Sequence, residues 1–161
     1  MTYCVAMRLA DGLVFASDSR TNAGFDQIST FRKMHVFEQP GERELVILSA
    51  GNLATSQSVI SLLEKRAGSE DPNVFSTASM FETAEVVGRT IREVIHRDNP
   101  EGKVNHVDFS CSLILGGQIR GEQVRLFNIY PESNFIEATE KTPYFQICPS
   151  KYGKPILFFF F

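Results

Sequence analysis

Two helical segments in the middle of the chain, with strand-like runs on both sides, most restrict what this sequence can fold into. Leu53, Val59, Ile60 and Leu63 share one face of a helix expected over 53–66, with Asn52 as its cap and Gly68 as its stop. Phe81, Ala84, Val87, Gly88, Ile91, Val94 and Ile95 repeat at helical spacing over 80–97. Ser79 followed by Glu82 reads as a capping box for this second helix, and Asn99-Pro100 closes it. The order is strands, two helices, then strands, which is neither a βαβ alternation nor an all-β pattern. Two antiparallel sheets packed face to face, with helices outside, satisfy it, so the fold class is α+β. A chain of 161 residues that is 43% hydrophobic forms one domain with a sizeable core.

The strands begin at the N-terminus. Tyr3-Cys4-Val5-Ala6-Met7-Arg8-Leu9 reads as a buried strand. Ala10-Asp11-Gly12 turns it, with Asp-Gly as the hairpin signal, and the strand 13–19 returns antiparallel. Thr21-Asn22-Ala23-Gly24-Phe25 reads as a loop, and a third strand near 31–37 carries Lys33. Pro40-Gly41-Glu42 turns the chain into a continuous apolar run over 44–50, which Gly51 ends. After the helices, 109–115 alternates as a strand, Gly116-Gly117 reads as a turn, and 124–130 returns. Two short strands follow, Phe135-Ile136-Glu137-Ala138 and Tyr144-Phe145-Gln146-Ile147, joined by a polar turn.

The chemistry lies in the first 33 residues. Thr2 stands directly behind Met1; once the methionine is trimmed, one residue carries both a hydroxyl nucleophile and a free amine to act as its base. The hairpin brings Asp18 back to the end where Thr2 starts, and Lys33 is expected on a neighbouring strand. Lys33 lowers the cost of deprotonating the hydroxyl, and Asp18 holds Lys33 in place. Each residue also has a plainer reading. Thr after Met is common, Asp18 can simply bind backbone amides at a strand end, and Lys33 can be a solvated charge. Cys4, mid-strand with no obvious histidine partner, reads as core. His35, His96 and His106 show no metal-ligand spacing, and His106 with Asp108 and a serine lacks the GxSxG context of a hydrolase triad. No phosphate loop is present, so neither a cofactor nor a metal is expected.

The residues Thr2, Asp18-Ser19-Arg20, Phe31-Arg32-Lys33 and Ser49-Ala50-Gly51-Asn52 together resemble the proteasome-type β subunits. Leu115-Gly116-Gly117-Gln118-Ile119, Asn134-Phe135-Ile136-Glu137-Ala138-Thr139 and Lys151-Tyr152-Gly153-Lys154-Pro155-Ile156-Leu157 narrow the resemblance to the bacterial Anbu group. It runs almost continuously over 1–157. It implies the four-layer αββα sandwich of the N-terminal nucleophile (Ntn) hydrolases, Thr2 as nucleophile, and Asp18 and Lys33 as its catalytic partners. It also implies that the Gly51 backbone amide stabilises the oxyanion.

The resemblance fails at the tail. Phe158-Phe159-Phe160-Phe161 stands where the family continues, and Cys148-Pro149 precedes Ser150 where Gly-Glu is expected. Residues 1–157 therefore read as a single incomplete Ntn-hydrolase domain, and 158–161 as an anomalous tail. The implied function is a threonine-type amide (peptide) hydrolase. The alternatives are a non-catalytic assembly subunit and an Ntn amidase acting on a small-molecule amide. The expected partners are further copies of the chain, in a ring or an open helical stack, and a peptide or unfolded protein substrate; an ATPase partner is left open. Val86 and Val87 beside Gly88 suggest the second helix as the self-association surface. With a net charge of −3 and no basic run longer than two residues, nothing suggests nucleic acid. Three cysteines without metal spacing, no basic-then-apolar leader and no bilayer-length apolar run lead to the expectation of a cytoplasmic protein away from the membrane.

Overall fold

The computed structural model describes residues 3–22, 28–100 and 107–147. Thr2, His106 and everything from Cys148 onward lie outside the described residues. The strands are β1 (Cys4–Leu9), β2 (Gly12–Ser17), β3 (Arg20–Asn22), β4 (Ile28–Thr30), β5 (Met34–Gln39), β6 (Arg43–Gly51), β7 (Cys111–Ile119), β8 (Arg125–Ile129), β9 (Phe135–Glu137) and β10 (Tyr144–Ile147). The helices α1 (Leu53–Lys65) and α2 (Met80–Asp98) separate β6 from β7.

Three strands form a narrow antiparallel sheet in the order β10-β1-β2, and five form a wide one in the order β5-β6-β7-β8-β9. Between the sheets lies a core of Cys4, Ala6, Leu48, Ile114, Leu126, Ala138 and Phe145, with Phe15 and Met34 packed against it. The other face of the wide sheet carries the larger core. There Leu45, Ile47, Leu113, Leu115, Phe127 and Ile129 meet Val59, Ile60 and Leu63 of α1 and Ala84, Val87, Ile91 and Val94 of α2. Each such side chain taken out of water contributes about 1.5–3 kcal/mol. The α+β class holds, with both helices on the wide sheet; among the described residues, helix covers only that side of the sandwich.

The helix ends follow the sequence. Asn52 caps α1 by accepting the Thr55 amide at 3.1 Å. Ser79 caps α2 by accepting the Glu82 amide at 3.1 Å, while Glu82 reaches back to the amide of Ala78 at 2.9 Å, one residue before the cap.

Several expectations need correction. Gly116-Gly117 is no turn: both lie inside β7, and the chain turns at Arg120–Gly121 instead. The glycines are there for close approach. A Cβ at Gly116 would come 2.7 Å from Phe15 of the facing sheet, and one at Gly117 would collide with the Glu44 carbonyl of β6. The loop read from Thr21 begins inside β3, which pairs with β4 at 28–30, and the strand read over 31–37 starts only at Met34, with 31–33 as a link before β5. β3 and β4 pair antiparallel, so their backbone groups bond to each other rather than to water. Lys33 thus precedes its strand rather than riding on it. The two short C-terminal strands do not pair with each other across their polar turn. β9 pairs with β8 in the wide sheet and β10 with β1 in the narrow one, and the Thr139–Thr142 bridge marks the crossing. Finally, Val86, Val87 and Gly88 are buried within the chain itself, with Gly88 against the Ser133 carbonyl. That face is internal core, so it is not the self-association surface.

Candidate active site

One end of the sandwich gathers the start of β1, the ends of β2, β6 and β10, the start of β7 and the start of α1. This follows from the antiparallel registers, which set Cys4 opposite both Ser17 and Ile147, and Gly51 opposite Cys111. Met34, the first residue of β5, pairs with Leu48 of β6 near the same end. The sequence candidates collect here.

Asp18 follows β2 directly, and its carboxylate makes contacts in two directions. One oxygen accepts the Tyr3 amide at 2.8 Å, and the Tyr3 carbonyl in turn accepts the Asp18 amide at 3.0 Å. Both oxygens accept from the Lys33 ammonium, at 2.9 and 3.0 Å. Burial works against the charged carboxylate, but the Tyr3 amide and the Lys33 ammonium more than offset it and hold the carboxyl below its usual range. Lys33 is 5% exposed and Asp18 32%, so the lysine end of the pair is out of water and the carboxylate end still touches it. The lysine reaches the pair from the wide sheet and Asp18 from the narrow one. They do not lie on adjacent strands of one sheet, as the sequence suggests; they close the gap between two sheets. The Lys33 carbonyl accepts the amide of Ser49 on β6 at 2.9 Å, which fixes the lysine backbone to the central strands.

Thr2 is outside the described residues, but its neighbour Tyr3 is held by Asp18 through both backbone groups. Cys4, next along, is fully buried. Cys111 is also buried, and burial pushes its thiol up to about 12, which leaves no thiolate at neutral pH.

Gly51 ends β6 with φ of +108°, a conformation that side-chain-bearing residues rarely adopt. A Cβ here would lie 2.5 Å from the Ser110 carbonyl. The register fixes the direction of its amide. The Asn52 amide donates to Ser110, on the β7 side, at 2.8 Å, whereas the Ser49 amide donates to Lys33, on the opposite side. Amides alternate sides along a strand, so Gly51 directs its N–H to the Lys33 side, about 6.8 Å beyond that of Ser49. No role of its own follows from the sequence for Tyr3, or for Ser49 beyond its place in the Ser49-Ala50-Gly51-Asn52 pattern. Their contributions are backbone amides, which leave no signature in residue type.

Among the described residues no group of three or more His, Cys, Asp or Glu side chains is arranged to hold a metal ion, and no helix is long and apolar enough to cross a membrane. An open groove of about 800 Å³ lies at the opposite end of the hairpin, between Arg8, Asp11, Gln118, Gln123 and Glu140, away from the Asp18–Lys33 pair.

A narrow and a wide antiparallel sheet face to face, a helical layer on the wide one, and an Asp–Lys pair at the start of the first strand define an Ntn-hydrolase-type protein. No protein-family model matches the chain, and no curated protein matches it. Solved structures do. The chain is 62% identical to Anbu (ancestral beta-subunit) from Yersinia bercovieri over 99% of its own length and 66% of that chain, with a TM-score of 0.91. It is 55% identical to the Anbu complex of Pseudomonas aeruginosa, solved as a helical assembly, over 97% of its own length and 64% of that chain, again with a TM-score of 0.91. Anbu from Hyphomicrobium sp. strain MC1 is 46% identical over 97% of this chain and 67% of that one, with a TM-score of 0.76. The chain belongs to the Anbu family of proteasome-like β-subunits. It spans 66% and 64% of the length of the first two relatives.

Proposed function

We propose that the chain is a threonine-type Ntn hydrolase acting on amide bonds of peptides, with Thr2 as nucleophile once Met1 is removed. The Thr2 hydroxyl attacks the substrate carbonyl carbon, and its proton passes to the Thr2 α-amine directly or through one water. The resulting oxyanion is held by the Gly51 amide. Collapse of the tetrahedral species breaks the C–N bond, and the α-ammonium returns the proton to the leaving amine. Water then attacks the acyl ester with the same amine as base and regenerates Thr2. Lys33 favours the developing alkoxide, and Asp18 keeps Lys33 in position.

The observation that carries this reading is the Asp18 carboxylate. It binds the Lys33 ammonium with both oxygens and the Tyr3 amide with one of them, one residue from Thr2. A solvated strand-end aspartate needs no buried lysine, so the plainer readings of the two residues leave the pair unexplained. Membership of the Anbu family adds support, and the helical assembly of the Pseudomonas aeruginosa relative favours self-association of this chain as well.

Intact-mass measurement comes first: the mature chain is expected to lack Met1. A covalent inhibitor directed at N-terminal threonine is then expected to modify the Thr2 peptide of the wild type. The same inhibitor should leave Lys33→Ala unmodified. Retention of Met1 rules out the mechanism, and so does labelling elsewhere in the chain.

A further inference from the structure

We propose that Asn52 is a positioning residue: by holding the segment 107–110 against the end of β6, it fixes the orientation of the Gly51 amide. Asn52 is usually read as a helix cap, and it is one. Its side-chain oxygen accepts the Thr55 amide at 3.1 Å. Capping uses only half of the side chain. The amide nitrogen at the other end donates to the Asp108 carbonyl at 2.8 Å, and the Asn52 backbone amide donates to the Ser110 carbonyl at 2.8 Å. The segment is braced from within, because the Asp108 carboxylate accepts the Ser110 amide at 2.8 Å. Two of its three peptide carbonyls from Asp108 to Ser110 are therefore held by one residue.

The object pressed by that grip is Gly51. The Ser110 carbonyl that accepts from Asn52 is the same atom that a Cβ on Gly51 would meet at 2.5 Å. Gly51 has no side chain to anchor it, its N–H lies in the Ala50–Gly51 peptide plane, and with φ of +108° that plane keeps its angle only if the backbone on both sides of the Gly51 Cα is held. Contacts on either side must therefore set its angle. On the β5 side the Ser49–Lys33 bond does this, and on the β7 side Asn52 does. An oxyanion donor works only when its N–H is already aimed at the site where charge develops, and small errors of placement are costly. This inference rests on the hydrolase reading for its catalytic consequence, though not for its geometry.

Asn52→Ser and Asn52→Asp separate the two jobs. Either residue can cap a helix; the Asp carboxylate has no proton to donate to the Asp108 carbonyl, and the Ser hydroxyl ends one bond short of the position from which the Asn52 amide nitrogen reaches it. In both variants, hydrogen exchange in 107–111 is expected to rise at least about tenfold. The Gly51 amide resonance should shift, while exchange in α1 and the circular dichroism stay as in the wild type. With a peptide substrate, kcat should fall about ten- to a hundredfold with KM within about twofold. Affinity for a peptide boronate, which forms a tetrahedral adduct, should fall in parallel with kcat. Unchanged exchange and an unmoved Gly51 resonance overturn the proposal outright. Faster exchange with an unmoved Gly51 resonance also overturns it, as does an unchanged kcat in an active enzyme. If the wild type neither hydrolyses peptide nor takes the threonine-directed probe, the hydrolase reading fails instead. The exchange and resonance shifts then decide the positioning claim alone.

Discussion

Asp18 is the residue on which two demands meet, placement of the first strand and retention of a charged lysine in a buried position. Asp18→Asn removes the charge that balances Lys33, which is only 5% exposed. Breaking a fully buried pair costs about 3–5 kcal/mol; because Asp18 itself stays 32% exposed, water can relieve part of that, and a loss of about 1–3 kcal/mol is expected in urea unfolding. The pH dependence has a definite sign. The carboxyl binds its proton less tightly in the folded chain than in the unfolded one, whose ordinary value is 3.8. The stability it contributes is complete above that value and drains away as pH falls through the lower folded value. Urea midpoints measured from pH 6 down to pH 2, on the scale of about two units either side of that value, should show the wild-type advantage over Asp18→Asn shrinking toward the acid end; a constant gap contradicts the pairing. A second residue-scale expectation concerns Gly117→Ala. The added methyl meets the Glu44 carbonyl of the neighbouring strand, which is backbone and cannot swing away, so about 1–3 kcal/mol is lost. These glycines also mark a limit of the sequence. A Gly-Gly pair is equally compatible with a turn and with tight packing in mid-strand. Only the facing Phe15 and Glu44, far away in the chain, decide between them.

At the scale of elements, what could be read from the sequence is what local chemistry determines. The helices begin at Leu53 and Met80 because Asn52 and Ser79 offer oxygens to the first-turn amides, and both residues are visible in the sequence. Ser79→Ala is expected to cost about 1 kcal/mol and Ser79→Asp far less, read as a shift of the thermal midpoint. Equal effects of the two changes would mean the cap contributes nothing. Of the candidate site, the Asp-Gly hairpin told that Asp18 returns to the start of β1, while the meeting of Lys33 with Asp18 across the two sheets was not legible. Which sheet each strand joins was not legible. β9 and β10 look like a hairpin, since each is short and apolar with a polar turn between. They separate because β8 and β1 already present open edges to them. Lys33 was assigned to a neighbouring strand for the same reason. Periodicity reports which face of a strand is buried, and it is silent on whether the partner lies beside it or across the core.

For the whole molecule, the contrast is between two apolar faces, one spent internally and one uncovered among the described residues. The Val86–Gly88 face of α2 is consumed by the chain's own core, with Val87 fully buried. The outer face of the narrow sheet is different. Cys4, Ala6 and Phe15 point inward to the facing sheet, so the alternation of a strand turns Met7, Leu9 and Val14 outward, and Leu9 and Val14 are 44% and 42% exposed. No helix covers that face among the described residues. A contact with another copy therefore cannot draw on α2's apolar stripe without unfolding it. Val87→Asp places a carboxylate where no water reaches, at a cost of several kcal/mol, comparable with the ~5–15 kcal/mol that holds a domain together. Its helical circular dichroism signal should collapse. Val14→Asp adds the same charge to an exposed position on a strand that keeps all its backbone pairs with β1. That variant should keep its circular dichroism and thermal midpoint. If Val14→Asp unfolds the chain as Val87→Asp does, the face is internal after all. If instead Val87→Asp stays folded and merely dissociates, α2 is the contact surface and its burial within the chain is wrong.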